Sequence, residues 1–172
     1  MKIVRLGGYW ALRQKYNVIN KTVILRVAAI WDYRKGLDAF IELSQYLDER
    51  YKIILVGLDE KQIEKLPATI LGVASTNTVN QLRELYAIAD VFFNPTIEDN
   101  CPTINLEAIS CGTPVITYDT GGSPESALLF GKVINEKKIK EIVSMLCSKN
   151  ELKSNRNNIS IEKMVDRYLH LY

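Results

Sequence analysis

"DVFFNPTIEDNCPTINLEAISCGTPVITYDTGG" spans residues 90–122 and contains one complete repeat of the pattern that decides the fold. An apolar run (90–95) reads as a strand. A polar loop carries Glu98 and Asp99. "INLEAIS" (104–110) reads as a helix, "PVITYD" (114–119) as a second strand, and a Gly-Gly turn follows. A strand, a short helix and another apolar strand in so little chain describe a parallel crossover.

The same alternation extends in both directions. Upstream, "TVILRVAAI" (22–30), "YKIILVG" (51–57) and "ATILGVA" (68–74) read as buried strands. Between and after them lie helices predicted over 36–50, 59–66 and 78–89, the second with Asp59 as its cap. Leu37, Phe40, Ile41, Leu43 and Leu47 recur at helical spacing in the first. Downstream, "GKVIN" (131–135) is a weaker strand, and helices are predicted over 136–148 and 160–172. The fold class is therefore α/β, a Rossmann-like parallel sheet of about six strands with helices on both faces. Residues 22–172 form this domain, and residues 1–21 are a lead-in.

The bulk properties narrow the function classes. The chain has 172 residues, 47% apolar and 24% charged, enough for a single domain with a real core. Its 22 basic and 20 acidic residues leave a net charge of +2, too balanced to indicate nucleic acid. Cys101, Cys111 and Cys147 form no CxxC pair, so neither a disulfide framework nor a zinc site is expected, and a cytoplasmic setting is. No apolar run approaches the ~20 residues of a membrane span. The absence of GxGxxG after the first strand argues against a dinucleotide-dependent dehydrogenase.

Open parallel sheets bind ligands at the carboxyl ends of their strands, so four loops share one rim. "WDYRKG" places Arg34 and Lys35 before a helix start, an arrangement suited to an anion or to a plain solvated turn. Gly57 ends a strand and permits close approach of a backbone or a ligand. Pro102 fits a helix start, which leaves the N–H groups of 103–105 for phosphate. Glu107, about one turn into that helix, would accept hydrogen bonds from a vicinal diol or simply complement the helix dipole. Gly121 and Gly122 allow tight approach at the fourth loop, where Ser123-Pro124 starts a short helix.

Taken together, "RKGLDAFIEL", "YKIILVG", the long block "LRELYAIADVFFNPTIEDNCPTINLEAISCGTPVITYDTGGSPE" and "EKMVDRYLHLY" resemble the nucleotide-sugar-binding C-terminal domain of GT-B-fold, retaining glycosyltransferases of the group 1 family. Members of this family build lipopolysaccharide, capsule and other glycans. The likeness covers residues 22–172. It implies a UDP-, GDP- or ADP-linked sugar as donor substrate, no cofactor and no metal. In the family's E-x7-E pattern the second acid, on the ribose, falls on Glu107, and the first, on the sugar or its phosphate, falls on Asp99, with Glu98 one position earlier. Either acid fills that role. The resemblance places the backbone of Asn100, Cys101, Pro102 and Thr103 on sugar and phosphate, Lys35 on the diphosphate, and residues 72–77 at the nucleobase. The family's arginine is replaced by Ile30, and Arg34 stands nearby as a substitute.

A complete enzyme of this kind has a second, acceptor-binding domain that receives a glycan or lipid-linked acceptor. "MKIVRLGGYW" resembles the opening strand and glycine loop of that domain, and the rest of it is expected to lie outside these residues. The isolated chain is then expected to be inactive, and peripheral membrane association belongs to a full-length relative only. The alternative is a non-catalytic nucleotide-sugar-binding module or a subunit that needs a partner. His170, on the terminal helix, is expected to be solvated or packed rather than catalytic.

Overall fold

The computed structural model describes residues 7–135 and 138–147. Six strands form one sheet: β1 (Thr22–Val27), β2 (Tyr51–Val56), β3 (Ile70–Val73), β4 (Val91–Asn94), β5 (Val115–Tyr118) and β6 (Gly131–Ile134). Their order is β3-β2-β1-β4-β5-β6 and every pair is parallel. The order reverses between β1 and β4, so the crevice at the carboxyl ends of those two strands is the topological switch point.

The expected alternation is present, with shorter elements. The helices are α1 (Gly7–Lys15), α2 (Leu37–Ser44), α3 (Glu60–Glu64), α4 (Val79–Ile88), α5 (Thr103–Ser110), α6 (Ser123–Ala127) and α7 (Ile139–Cys147). Asp59 caps α3 in a full capping box with Gln62, and Thr78 caps α4 by accepting from the Gln81 N–H. The first helix was expected to run to residue 50 but stops at Ser44. There the Ser44 hydroxyl donates back to the Ile41 carbonyl, and Asp48 holds the Arg50 N–H in a tight turn. β1 ends at Val27 rather than at residue 30, and Ile30 is 75% exposed. The helix expected over 160–172, with His170, lies outside the described residues.

Both faces of the sheet are covered, which is why the strands read as apolar runs rather than alternating ones. On one face Ile24, Ile53, Leu55, Phe93 and Ile116 pack with Phe40 and Leu43 of α2 and Ile139, Ile142 and Leu146 of α7. Phe40 and Phe93 meet edge to face, ring centres 5.1 Å apart. On the other face Val23, Leu25, Ile54, Phe92 and Val115 pack with α4 and α5. Each fully buried side chain of this size contributes about 1.5–3 kcal/mol, so the two cores fix the strand ends against each other and the rim loops inherit that rigidity.

The glycine pair at 7–8, expected in a loop, is instead the first turn of α1. Arg13 of that helix is nearly buried. It donates to the carbonyls of Val18, Lys21 and Ile88 and pairs with Asp90, whose carboxylate also accepts from the Val23 N–H. Residues 7–21 are thus fastened to the base of β1 and the end of α4.

Candidate functional site

Four loops meet at the carboxyl ends of the strands and are fastened to one another. The loop after β1 turns through a short 3-10 segment at Tyr33–Lys35, with the Asp32 side chain accepting from the Arg34 N–H. Its carbonyl at Arg34 accepts from the Ile97 N–H (3.0 Å) and the Thr96 hydroxyl (3.2 Å) of the loop after β4. Thr120, after β5, donates to the Thr96 carbonyl at 2.7 Å. The Gly122 N–H donates to the Asp99 carbonyl at 3.0 Å.

Those contacts explain the glycines. A Cβ on Gly122 would stand 2.0 Å from the Asn100 carbonyl oxygen, and one on Gly121 (φ +52°) 2.2 Å from that of Asp99. Gly57 (φ +93°) would meet the Ala28 carbonyl at 1.7 Å. The close approach expected at these glycines is therefore taken up by the protein's own backbone, which they allow to fold tightly.

The charged side chains divide into pairs. Arg34 grips Asp32 through two nitrogens, at 3.0 and 2.7 Å, and lies 3.9 Å from Glu98. The hydrogen bonds from Arg34 hold the Asp32 carboxyl below its ordinary range. Lys35 reaches across the crevice to Asp99 at 3.5 Å, and both side chains are largely covered, 28% and 20% exposed. The Asp99 carboxylate also accepts from the Cys101 N–H at 3.2 Å, which turns the chain toward α5. Glu98, 68% exposed, extends toward solvent. Arg34, Lys35, Glu98 and Asp99 thus stand together around the mouth of the switch point.

α5 begins at Thr103 with Pro102 as its cap residue and no side-chain cap. The expectation of three free N–H groups at 103–105 is corrected. The Thr103 N–H donates to the Cys101 carbonyl (2.8 Å) and the Asn105 N–H to that of Pro102 (2.9 Å). Of the three, that of Ile104 has no acceptor among the described residues. Glu107 lies one turn in, and its Oε2 accepts from the Tyr86 hydroxyl at 3.0 Å. Beneath α5 a buried chain runs from Asn94 to Asn105 (2.9 Å) to the Ser126 hydroxyl (2.8 Å), which ties the helix start to β4 and α6. The segment 72–77 leaves β3 on the same rim, where the Asn77 N–H donates to Gln81.

Two polar groups near this site escaped the sequence reading. Tyr86 lies within the helix predicted over 78–89, where its sequence context is that of an apolar position. Burial foremost, and then the neighbouring Glu107 charge, push its phenol well above the ordinary range, so it stays a donor. Arg26 sits inside the run "TVILRVAAI" and is 1% exposed. Burial brings its guanidinium down to about 10, still charged at neutral pH. A single arginine within an otherwise apolar strand was the available signal.

The description "Glycosyl transferases group 1" belongs to the family model that matches residues 21–147, about three quarters of the chain. The chain belongs to the group 1 glycosyl transferases. Lipopolysaccharide glucosyltransferase WaaG of Escherichia coli is 34% identical over 92 residues, 49% of this chain and 25% of WaaG. A crystal structure of WaaG, a glycosyltransferase involved in lipopolysaccharide biosynthesis, superposes with a TM-score of 0.69 at 25% identity over 86% of this chain and 44% of that one. Anabaena HepE, solved in complex with UDP-glucose, gives a TM-score of 0.68 at 16% identity over 95% of this chain and 52% of HepE, a likeness of fold. The sheet is that of one GT-B domain, and the chain spans about half the length of these solved relatives. Among the described residues no helix of this chain is long and apolar enough to cross a membrane, and no three His, Cys, Asp or Glu side chains gather as a metal site.

Proposed function

We propose that this chain is the donor-binding domain of a glycosyltransferase that moves a sugar from a nucleotide-sugar to an acceptor hydroxyl with retention, in the assembly of a polysaccharide or other glycan. The observation that carries the reading is the Lys35–Asp99 contact across the switch-point crevice. It sets a cation and an acid at the two sides of the place where parallel sheets bind ligands. In the proposed complex the Lys35 ammonium turns from Asp99 to the donor's diphosphate. Asp99, freed, faces the transferred sugar, while the outward Glu98 remains with Arg34. Glu107, one oxygen held by Tyr86, accepts from a ribose hydroxyl with the other. The Ile104 N–H adds a donor at the positive end of α5.

The chemistry asked of these groups is electrostatic. The bond from the anomeric carbon to the diphosphate oxygen breaks, and negative charge develops on that oxygen. A lysine and a helix N-terminus aimed there stabilise it more in the transition state than in the bound donor. In this reading the acceptor hydroxyl attacks from the same face and passes its proton to the departing phosphate. The acceptor, a glycan or lipid-linked sugar, is held by a domain outside these residues, and the chain alone is inactive. The likeness in fold to HepE, a protein solved with UDP-glucose, supports the donor class. The exposed Ile30, in the place of the family's arginine, favours a second reading in which the domain binds a nucleotide-sugar without turning it over.

The role of Glu107 is testable by comparing a ribonucleoside diphosphate with its 2′,3′-dideoxy counterpart by calorimetry. The native chain should prefer the ribo form about tenfold or more, since hydrogen bonds to a charged group are each worth ~1.5–3 kcal/mol. Glu107→Ala should erase that preference. A preference that survives the substitution removes Glu107 from the ribose.

A further inference from the structure

Arg26 is the first residue of β1 beyond its last rung with β4, Leu25 opposite Phe92. On the other side it remains paired with Leu55 of β2. It therefore stands where the two strands of the switch point part, beneath the loops that carry Lys35 and Asp99. Its guanidinium donates to the Val27 carbonyl at 2.5 Å, its buried Nε has no hydrogen-bond partner among the described residues, and its carbon lies 5.5 Å from the Phe92 ring centre and 6.0 Å from that of Trp31. Among the described residues no carboxylate comes within ion-pair distance of it.

A buried cation without a counter-ion is costly, and two aromatic faces replace only part of its lost hydration. The strand could hold a leucine or methionine there at no such cost. The cations around the crevice differ in this respect. Arg34 is taken by Asp32, and Lys35 faces Asp99. Of the three, Arg26 has no acid within ion-pair distance among the described residues, the Asp99 charge acting on it only from farther off, and the surface position at residue 30 supplies no cation. What would complete this arrangement is an anion in the crevice above.

We propose that Arg26 is a buried counter-charge for the diphosphate of the donor, recognising it from beneath the switch point, where the surface loop's Arg34 is engaged by Asp32 and its Lys35 by Asp99. The proposal rests on the nucleotide-sugar reading above. Arg26 acts through the low-dielectric strand end, where a charge is screened far less than on the surface. It is a positioning residue, and no bond forms or breaks at it. The competing role is structural, a cation kept for its contacts with Phe92 and Trp31.

The test titrates the full chain with UDP, GDP and ADP and with the matching monophosphates, and reads the ratio of diphosphate to monophosphate affinity. Arg26→Met should cut that ratio about tenfold while leaving Tm unchanged or higher. Arg26→Gln, which can keep the bond to Val27 without the charge, should do the same and serves if the methionine variant fails to fold. An unchanged ratio overturns the proposal. So does equal weakening of both phosphates with a lower Tm, the signature of a structural role. Lys35→Ala separates the two levels. If it lowers the ratio and the Arg26 variants do not, this inference alone falls. If the native chain binds none of the nucleotides, the donor reading falls and takes this one with it.

Discussion

The two loops that face each other across the switch point are built on opposite plans. The loop after β1 carries its chemistry on side chains. Arg34 and Lys35 are held by acids at 2.7 and 3.5 Å, pairs that a competing anion can exchange. The loop after β4 carries its chemistry on the path of the backbone. Asp99 and Asn100 lie against Gly121 and Gly122 with no room for a Cβ, the Gly122 N–H holds the Asp99 carbonyl, and Pro102 is buried at the start of α5. One loop supplies charge that can change partners, and the other supplies fixed geometry. A site that must grip a polyanion and then release it needs both.

The contrast predicts different failures. Gly122→Ala should be the most damaging, costing about 2–3 kcal/mol of stability through overpacking against Asn100. Thermal unfolding would show it, and a Tm within a degree of the native value would mean that the β4 loop is not locked as described. Lys35→Ala should do the reverse. Nucleoside diphosphate affinity should fall about tenfold, while stability stays within ~0.5 kcal/mol because the pair it breaks is partly solvated. A large loss of stability would show that Lys35 belongs to the scaffold. The smallest effect is at Asp32. Its carboxyl is depressed by Arg34, so the pair stabilises the fold above the ordinary carboxylate range and the benefit fades as pH falls through the lowered value. Asp32→Asn should therefore flatten the slope of stability against pH below about pH 4, measured by denaturant unfolding, and leave pH 7 binding nearly intact.

The sheet was legible because burial on both faces writes continuous apolar runs, and a capping residue such as Asp59 marks a helix start locally. Element ends were less legible. Where α2 stops depends on a hydroxyl turning back on Ile41, and β1 ends with its last rung to β2, Val27 opposite Val56. At the site, the residue types were readable and their partners were not. That the N–H groups of Thr103 and Asn105 are already used follows from the turn at 101–103. The bond from Tyr86 to Glu107 joins two helices, and Tyr86 presents itself in sequence as one more apolar position. Arg26 was hidden for the opposite reason. Its neighbours are so apolar that the strand reads the same with or without it.

The central claim is that this rim holds a nucleotide-sugar, and calorimetric titration of the chain with UDP, GDP, ADP, UDP-glucose and GDP-mannose tests it most directly. The account predicts saturable binding of one base's diphosphate and sugar diphosphate at about 1 μM–1 mM, the range in which enzymes usually meet their substrates. Absence of binding to every one of the five, in a chain shown to be folded, would contradict it.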